Sequence, residues 1–128
     1  MKIRVYYEDT DAGGIVYHTN YIKYCERARS EMFFENDMMP GEDDCSGFIV
    51  KDIKASFLAT ASLGDLLNVD TRVVKLRGSS IVLEQNVYRD DIQLFGMEIL
   101  LVYVRDGRPV RIPEQYREFL ARYSGVIA

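Results

Sequence analysis

The stretch Tyr7-Glu8-Asp9-Thr10-Asp11-Ala12-Gly13-Gly14-Ile15-Val16-Tyr17-His18 brings acidic side chains, a Gly-Gly turn and the chain's only histidine together just ahead of an amphipathic segment. A carboxylate in such a loop can deprotonate a water or attack a carbonyl carbon itself, and an imidazole can position or donate a proton. Backbone N–H groups at a helix start, here around residues 16 to 20, are polarised to receive a developing oxyanion. A loop between a strand and a helix can aim all of these at one point. This loop, with Asp9, Asp11 and His18, is therefore the candidate active site, with turn or cap formation by the carboxylates and a structural role for the imidazole as the ordinary alternatives. Asp9 reads as a brace that accepts backbone N–H bonds, with direct chemistry as its alternative, and Glu8 as a solvated side chain or one paired with a basic neighbour.

Other chemistries fit less well. Asp9-x-Asp11 with Gly14 shares its start with a calcium loop, but the twelfth position is Asn20 rather than glutamate and Gly13 replaces a ligand. One histidine and two distant cysteines are too few for a transition-metal site, so no metal and no cofactor is expected. Cys25 as a nucleophile with His18 as its base fails on helix geometry, which separates them by roughly 9 Å along the axis. Cys25 is read as core. Gly78-Ser79-Ser80 lacks the second glycine of a nucleophile elbow and reads as a turn.

The elements that must hold the loop follow from periodicity. Ile3 to Tyr7 is a β-prone run that the Asp/Gly segment ends. From about Asn20 to Asn36 the apolar residues Tyr21, Tyr24, Cys25, Ala28, Met32 and Phe33 lie on one face of a helix, with Thr19 or Asn20 as its cap and Asn36-Asp37 as its end. Residues Met38 to Gly47, with Pro40, Gly41 and Glu42-Asp43-Asp44, read as a solvated surface connection. Four strands are expected at Phe48 to Ala59, Leu66 to Arg77, Ile81 to Asp90 and Leu94 to Arg105, joined by short turns that force an antiparallel meander. Pro109 and Pro113 bar further sheet, and Glu114 to Tyr123 can form a terminal helix. A curved antiparallel sheet wrapped around one helix satisfies this order. In the last strand Leu94, Gly96, Leu100, Val102 and Val104 face one side and Phe95, Met97, Ile99, Leu101 and Tyr103 the other, so both faces look dry and an oligomer is implied.

The chain has 128 residues and a net charge of −4, which bounds it to one domain, residues 1–128, with a real core and no basic face for nucleic acid. Met1 to Val5 lacks the apolar core of a signal peptide, and the longest apolar run, Ile99 to Val104, is too short to span a membrane. The expectation is a cytosolic protein whose two cysteines stay reduced.

The text Val5 to Tyr21, with Glu26-Arg27-Ala28-Arg29 in the helix, Ala59-Thr60-Ala61-Ser62-Leu63-Gly64-Asp65 before a strand and Leu76-Arg77-Gly78-Ser79-Ser80 at a hairpin, resembles the hotdog-fold acyl-CoA thioesterases, in particular the YbgC-like branch. The resemblance covers nearly the whole chain apart from Met38 to Gly47 and the terminal helix. It implies an α+β hotdog fold: a five-stranded antiparallel sheet around one long central helix, with a short C-terminal helix. It places the family's catalytic carboxylate on Asp11 and the accompanying histidine on His18. Hydrolysis would release a carboxylic acid and coenzyme A, and an acyl-carrier-protein thioester is an alternative substrate. A third possibility is a hotdog protein that binds acyl-CoA without hydrolysing it, and a dehydratase of the same fold would normally carry a different acid on the long helix. The resemblance further implies an active site between subunits, a homodimer or homotetramer, and a link to lipid metabolism. For coenzyme A thioesters, Tyr17 is a candidate substrate-binding residue, and the strand-edge residues Ser56 to Ala61, notably Ser56 and Ala59, are candidates for the pantetheine arm. Lys75, Arg77, Ser79 and Ser80 are candidates for the phosphates, with a solvated turn as the ordinary reading, and Tyr21, Tyr24, Phe57 and Leu58 for the acyl slot, with core packing as the default for the aromatics.

Overall fold

The computed structural model describes residues 1–124. Strand β1 (Lys2–Arg4) is followed by a single 3-10 turn at Tyr7–Asp9 and helix α1 (Thr19–Glu35). Strands β2 (Ser46–Phe57), β3 (Leu66–Leu76), β4 (Ser80–Arg89) and β5 (Ile92–Arg105), a two-residue β6 (Arg108–Pro109) and helix α2 (Glu114–Ala121) complete the chain.

Helix α1 lies along the concave face of the sheet because one stripe of it is apolar: Tyr21, Tyr24, Cys25, Ala28, Met32 and Phe33 are all buried. On the sheet side the inward residues alternate as a half-buried strand requires, with Ile81, Leu83, Gln85 and Val87 from β4 and Phe95, Met97, Ile99, Leu101 and Tyr103 from β5 all buried. Register shifts between Val50 and Asp52, Val73 and Lys75, and Val87 and Tyr88 mark bulges, which add the twist that curls the sheet around the helix. Two aromatic clusters close the ends of the helix–sheet space. Tyr21, Phe57 and Phe95 pack near the start of α1, with Tyr21 stacked on Phe95 at 5.5 Å. Phe33, Phe48, Tyr103, Tyr116 and Phe119 pack near its end.

Several expectations are corrected. The strands run in the order β1-β3-β4-β5-β2, so β2 pairs with β5 at the far edge rather than with its sequence neighbour β3. The connection 58–65 is long enough to cross the sheet end, so only β3, β4 and β5 form the expected meander. The first strand stops at Arg4 because the 3-10 turn begins at Tyr7, closed by Asp9. Neither Thr19 nor Asn20 caps α1. His18 holds the cap position without a side-chain bond, while the Asn20 side chain donates to the Asp9 carbonyl at 2.8 Å. Pro109 does join the sheet, opposite Val104 in β6, at the strand end where the missing N–H is tolerated.

Candidate active site

The loop between β1 and α1 is a tight hairpin. Thr10 pairs with Val16, the Asp11 N–H donates to the Ile15 carbonyl at 2.8 Å, and Gly14 takes the turn at φ 82°. Only a residue without a side chain adopts that backbone at little cost. Asp11 thus sits at an exposed tip, where one carboxylate oxygen accepts the Gly13 N–H at 2.8 Å and the other is left to solvent. Asp9 is buried and braces the base of the loop, accepting the Tyr6 N–H at 2.9 Å. Behind it stands the buried Tyr24 hydroxyl, which makes no hydrogen bond among the described residues. Burial, and then the Asp9 carboxylate beside it, push that phenol well above its ordinary range.

His18 is exposed, with its ring 4.7 Å from that of Tyr17 and 5.9 Å from Phe57 at the end of β2. Asp11 lies at the hairpin tip and His18 beyond the hairpin, at the cap of α1, and no hydrogen bond joins the two side chains among the described residues. Of the N–H groups expected to face an oxyanion, Val16 donates to Ala61, Tyr17 to Asp9 and Asn20 to Tyr17. Those of His18 and Thr19 have no acceptor among the described residues, which narrows the donors to these two at the positive end of α1.

The loop is held from the side by the connection 58–65. Ile15 bridges Ser62, the Ala61 carbonyl accepts the Val16 N–H, and the Ala61 N–H donates to the Tyr21 hydroxyl at 2.9 Å. Arg89 ties this connection down by donating to the Thr60 carbonyl and to Asp65. The apolar residues around the loop stay open to solvent, with Tyr17, Phe57, Leu58 and Leu63 each about half exposed.

The remaining candidates are only partly brought together. Tyr17 and Phe57 lie at the loop. Ser56 is exposed on β2, one residue from Phe57 and therefore on the opposite face of the sheet from the His18 ring. Ala59 is half-buried, and its N–H and that of Leu58 donate to the Leu94 carbonyl, so neither N–H is free to donate to a pantetheine amide. Lys75 and Arg77 are exposed, with Ser79 and Ser80 beside them at the β3–β4 hairpin. That hairpin is a full strand length, roughly 33 Å, from the β3 end that adjoins the Asp11 loop in the same chain. Tyr21 and Tyr24 belong to the core rather than to an open slot.

Sequence reasoning missed Gln85. It is fully buried among apolar inward residues, donates to the Cys25 carbonyl at 2.9 Å and to Thr71 at 3.0 Å, and accepts from Arg29 at 2.9 Å. The signal was available: an amide between Leu83 and Val87 interrupts an otherwise apolar alternation. Among the described residues no helix is long and apolar enough to cross a membrane, and no three His, Cys, Asp or Glu side chains are gathered as a metal would require.

Residues 13–95 match the family model for the thioesterase superfamily, a span that includes His18 and begins just after Asp11. Over 94% of its length the chain is 41% identical to the acyl-CoA thioesterase YbgC of Helicobacter pylori strain J99, covering 98% of that protein. It is 36% identical to the acyl-CoA thioesterase YbgC of Haemophilus influenzae over 91% of this chain and 90% of that one. Among solved structures, a probable thioesterase from Bartonella henselae superposes with a TM-score of 0.82 at 28% identity, over 88% of this chain and 97% of that one. With a curled sheet around one central helix, a polarised helix start beside an exposed carboxylate, and matches spanning most of its length, the chain belongs to the thioesterase superfamily.

Proposed function

We propose that the protein hydrolyses acyl-CoA thioesters, with Asp11 as the reacting carboxylate and His18 assisting. The observation that carries this is the Asp11 side chain held by the Gly13 N–H at a hairpin tip, ahead of a helix start whose first two N–H groups are unengaged. A thioester expels a thiolate whose conjugate acid has a pKa of about 8.5, so the leaving group needs little acid assistance. The free Asp11 oxygen either takes a proton from water as that water attacks, or attacks the carbonyl carbon to give a mixed anhydride that water then opens. The His18 and Thr19 N–H groups receive the oxyanion on either route. The imidazole, aligned by Tyr17 and Phe57, orients the water or donates to the thioester oxygen.

A site shared between two copies fits this geometry. The loop is open to solvent, apolar side chains surround it, and β2 presents an unpaired edge beside it. A second chain on that edge would cover the apolar rim, and a neighbouring copy could supply Lys75, Arg77, Ser79 and Ser80 to the coenzyme A phosphates. The acyl-CoA names of the curated relatives favour that carrier over acyl carrier protein.

Replacing Asp11 by Asn is the decisive experiment. Thiol release from a panel of short, long and aromatic acyl-CoA esters is expected to fall by at least about a hundredfold in kcat/KM, with substrate binding retained. Unchanged release would move the chemistry elsewhere, and binding without any release by the unsubstituted protein would make it an acyl-CoA binder. In a single turnover in water labelled with heavy oxygen, label on Asp11 establishes a mixed anhydride opened at the Asp11 carbonyl, whereas label on the released acid alone is what direct attack by water, or an anhydride opened at the acyl carbon, gives.

A further inference from the structure

The two N–H groups left free at the start of α1, those of His18 and Thr19, stand inside a closed ring of hydrogen bonds. On one side of them the Tyr17 N–H donates to the Asp9 carbonyl at 2.9 Å. On the other the Asn20 N–H returns to the Tyr17 carbonyl at 2.8 Å, and the Asn20 side-chain amide donates to the same Asp9 oxygen, also at 2.8 Å. A single carbonyl, with its two lone pairs, thus grips the chain before and after the pair.

Asp9 is itself fixed from its other end, where the carboxylate accepts the Tyr6 N–H at 2.9 Å. From Asp9 the hairpin runs directly to the reacting carboxylate, with Thr10 bridged to Val16 and the Asp11 N–H bound to the Ile15 carbonyl. Asp9 and Asn20 are both buried, so the ring is complete within one chain and needs nothing from a neighbouring copy.

Asn20 is the member that the fold alone does not require. Asparagine is a weak helix former, and here it caps nothing, since His18 holds the cap position without a side-chain bond. Removing its amide would not orphan the Asp9 oxygen either, because the Tyr17 N–H stays on it. A carboxylate in its place would turn only acceptors toward that oxygen, and an aliphatic side chain nothing. What the bond fixes is the distance between the Asp11 hairpin and the first turn of α1.

We propose that Asn20 is a positioning residue for thioester hydrolysis: through the Asp9 carbonyl, its amide holds the His18 and Thr19 N–H groups at a set spacing from the Asp11 carboxylate, so that both sides meet one substrate carbonyl. This rests on the thioesterase reading above. Asn20 does not touch the substrate; it holds the donors that do. Such donors stabilise an oxyanion only at hydrogen-bond distance, and a displacement of about 1 Å costs on the order of a hundredfold in rate.

Asn20→Leu, close in volume and without a donor, is the test. Its kcat is expected to fall at least about tenfold, with KM for hexanoyl-CoA changed by less than about threefold and the melting temperature by less than about 5 °C. A second reading needs no turnover. The ketone analogue of hexanoyl-CoA, with a methylene in place of the thioester sulfur, is bound and its carbonyl stretch recorded. The stretch is expected below its frequency in water in the unsubstituted protein, with that displacement at least halved in Asn20→Leu. An unchanged kcat, a loss confined to KM, or a carbonyl displacement that survives in Asn20→Leu overturns the proposal. Should Asn20→Leu not fold, Asn20→Ala takes its place with the same outcomes. Hydrolysis that persists in Asp11→Asn, or is missing from the unsubstituted protein, sinks the reading above, while the carbonyl displacement still decides what Asn20 holds in place.

Discussion

At the scale of single residues, the two glycines of the Asp11 loop do different work. A Cβ on Gly14 would meet nothing within 4 Å, but the backbone there sits at φ 82°, so Gly14→Ala should cost about 1 kcal/mol of stability through strain alone. Gly13 has no such backbone demand, and its Cβ would instead stand 3.2 Å from the Asp11 carboxylate oxygen. Gly13→Ala is expected to keep the melting temperature and lower kcat, whereas Gly14→Ala lowers the melting temperature. Paired thermal and kinetic measurements on both variants check this, and equal melting losses would refute it. The cysteines separate as clearly. Burial pushes the Cys25 thiol up to about 12, so at pH 8 it is protonated as well as inaccessible. Cys45 is exposed, though the Asp106 carboxylate beside it raises its pKa too. Thiol titration of the native protein at pH 8 should count one slowly reacting group, and two after denaturation.

At the scale of elements, the connection 38–47 lies at the solvated surface, as its composition suggests, but it is tied to distant elements. Arg105 at the end of β5 donates to Asp43 at 2.8 Å and to Glu42 at 3.3 Å, Gln115 of α2 donates to Glu42, and the Tyr116 hydroxyl donates to the Met39 carbonyl. The Arg105 guanidinium, then the Cys45 N–H, hold the Asp43 carboxyl below its usual range. A depressed carboxylate contributes its stabilisation in full above the unfolded pKa of about 3.9 and loses it as pH falls through the lower native value. Arg105→Gln removes that contribution at neutral pH as well. Amide exchange within residues 42 to 46 should therefore speed up in the variant at pH 7, and the difference between the two proteins should shrink on acidification below pH 4. Exchange rates that match at pH 7 would show that the ion pairs do not pin the segment. These acids were visible in the sequence, but their partners are about sixty to seventy residues away, and no local pattern announces a contact of that range.

At the scale of the molecule, β2 is the strand that leaves an edge for a partner. It pairs with β5 on one side only, and Ile49, Val50 and Phe57 are each about half exposed along it. Native proteins rarely leave a long apolar edge uncovered. On the outer face of β5, Leu100, Val102 and Val104 are half-buried, so the second dry face expected from the sequence is present and partly open. If a second copy covers the edge, Ile49→Lys should shift the mass by light scattering from oligomer to monomer and depress thioester hydrolysis although Asp11 and His18 are intact. A monomeric mass for the unsubstituted protein, with full activity, would remove the interface from the proposal.

What the residue order carried was everything local. The helix over Tyr21 to Phe33, the alternation of β4 and β5, the Asp11–His18 loop and its glycines all follow from periods and backbone preferences that span a few residues. What it could not carry was the partner of each surface. Which strand β2 joins, why Gln85 is buried, and how Arg29 comes to meet it depend on contacts across dozens of residues, where burial and hydrogen-bond satisfaction are decided only once the sheet has curled around the helix.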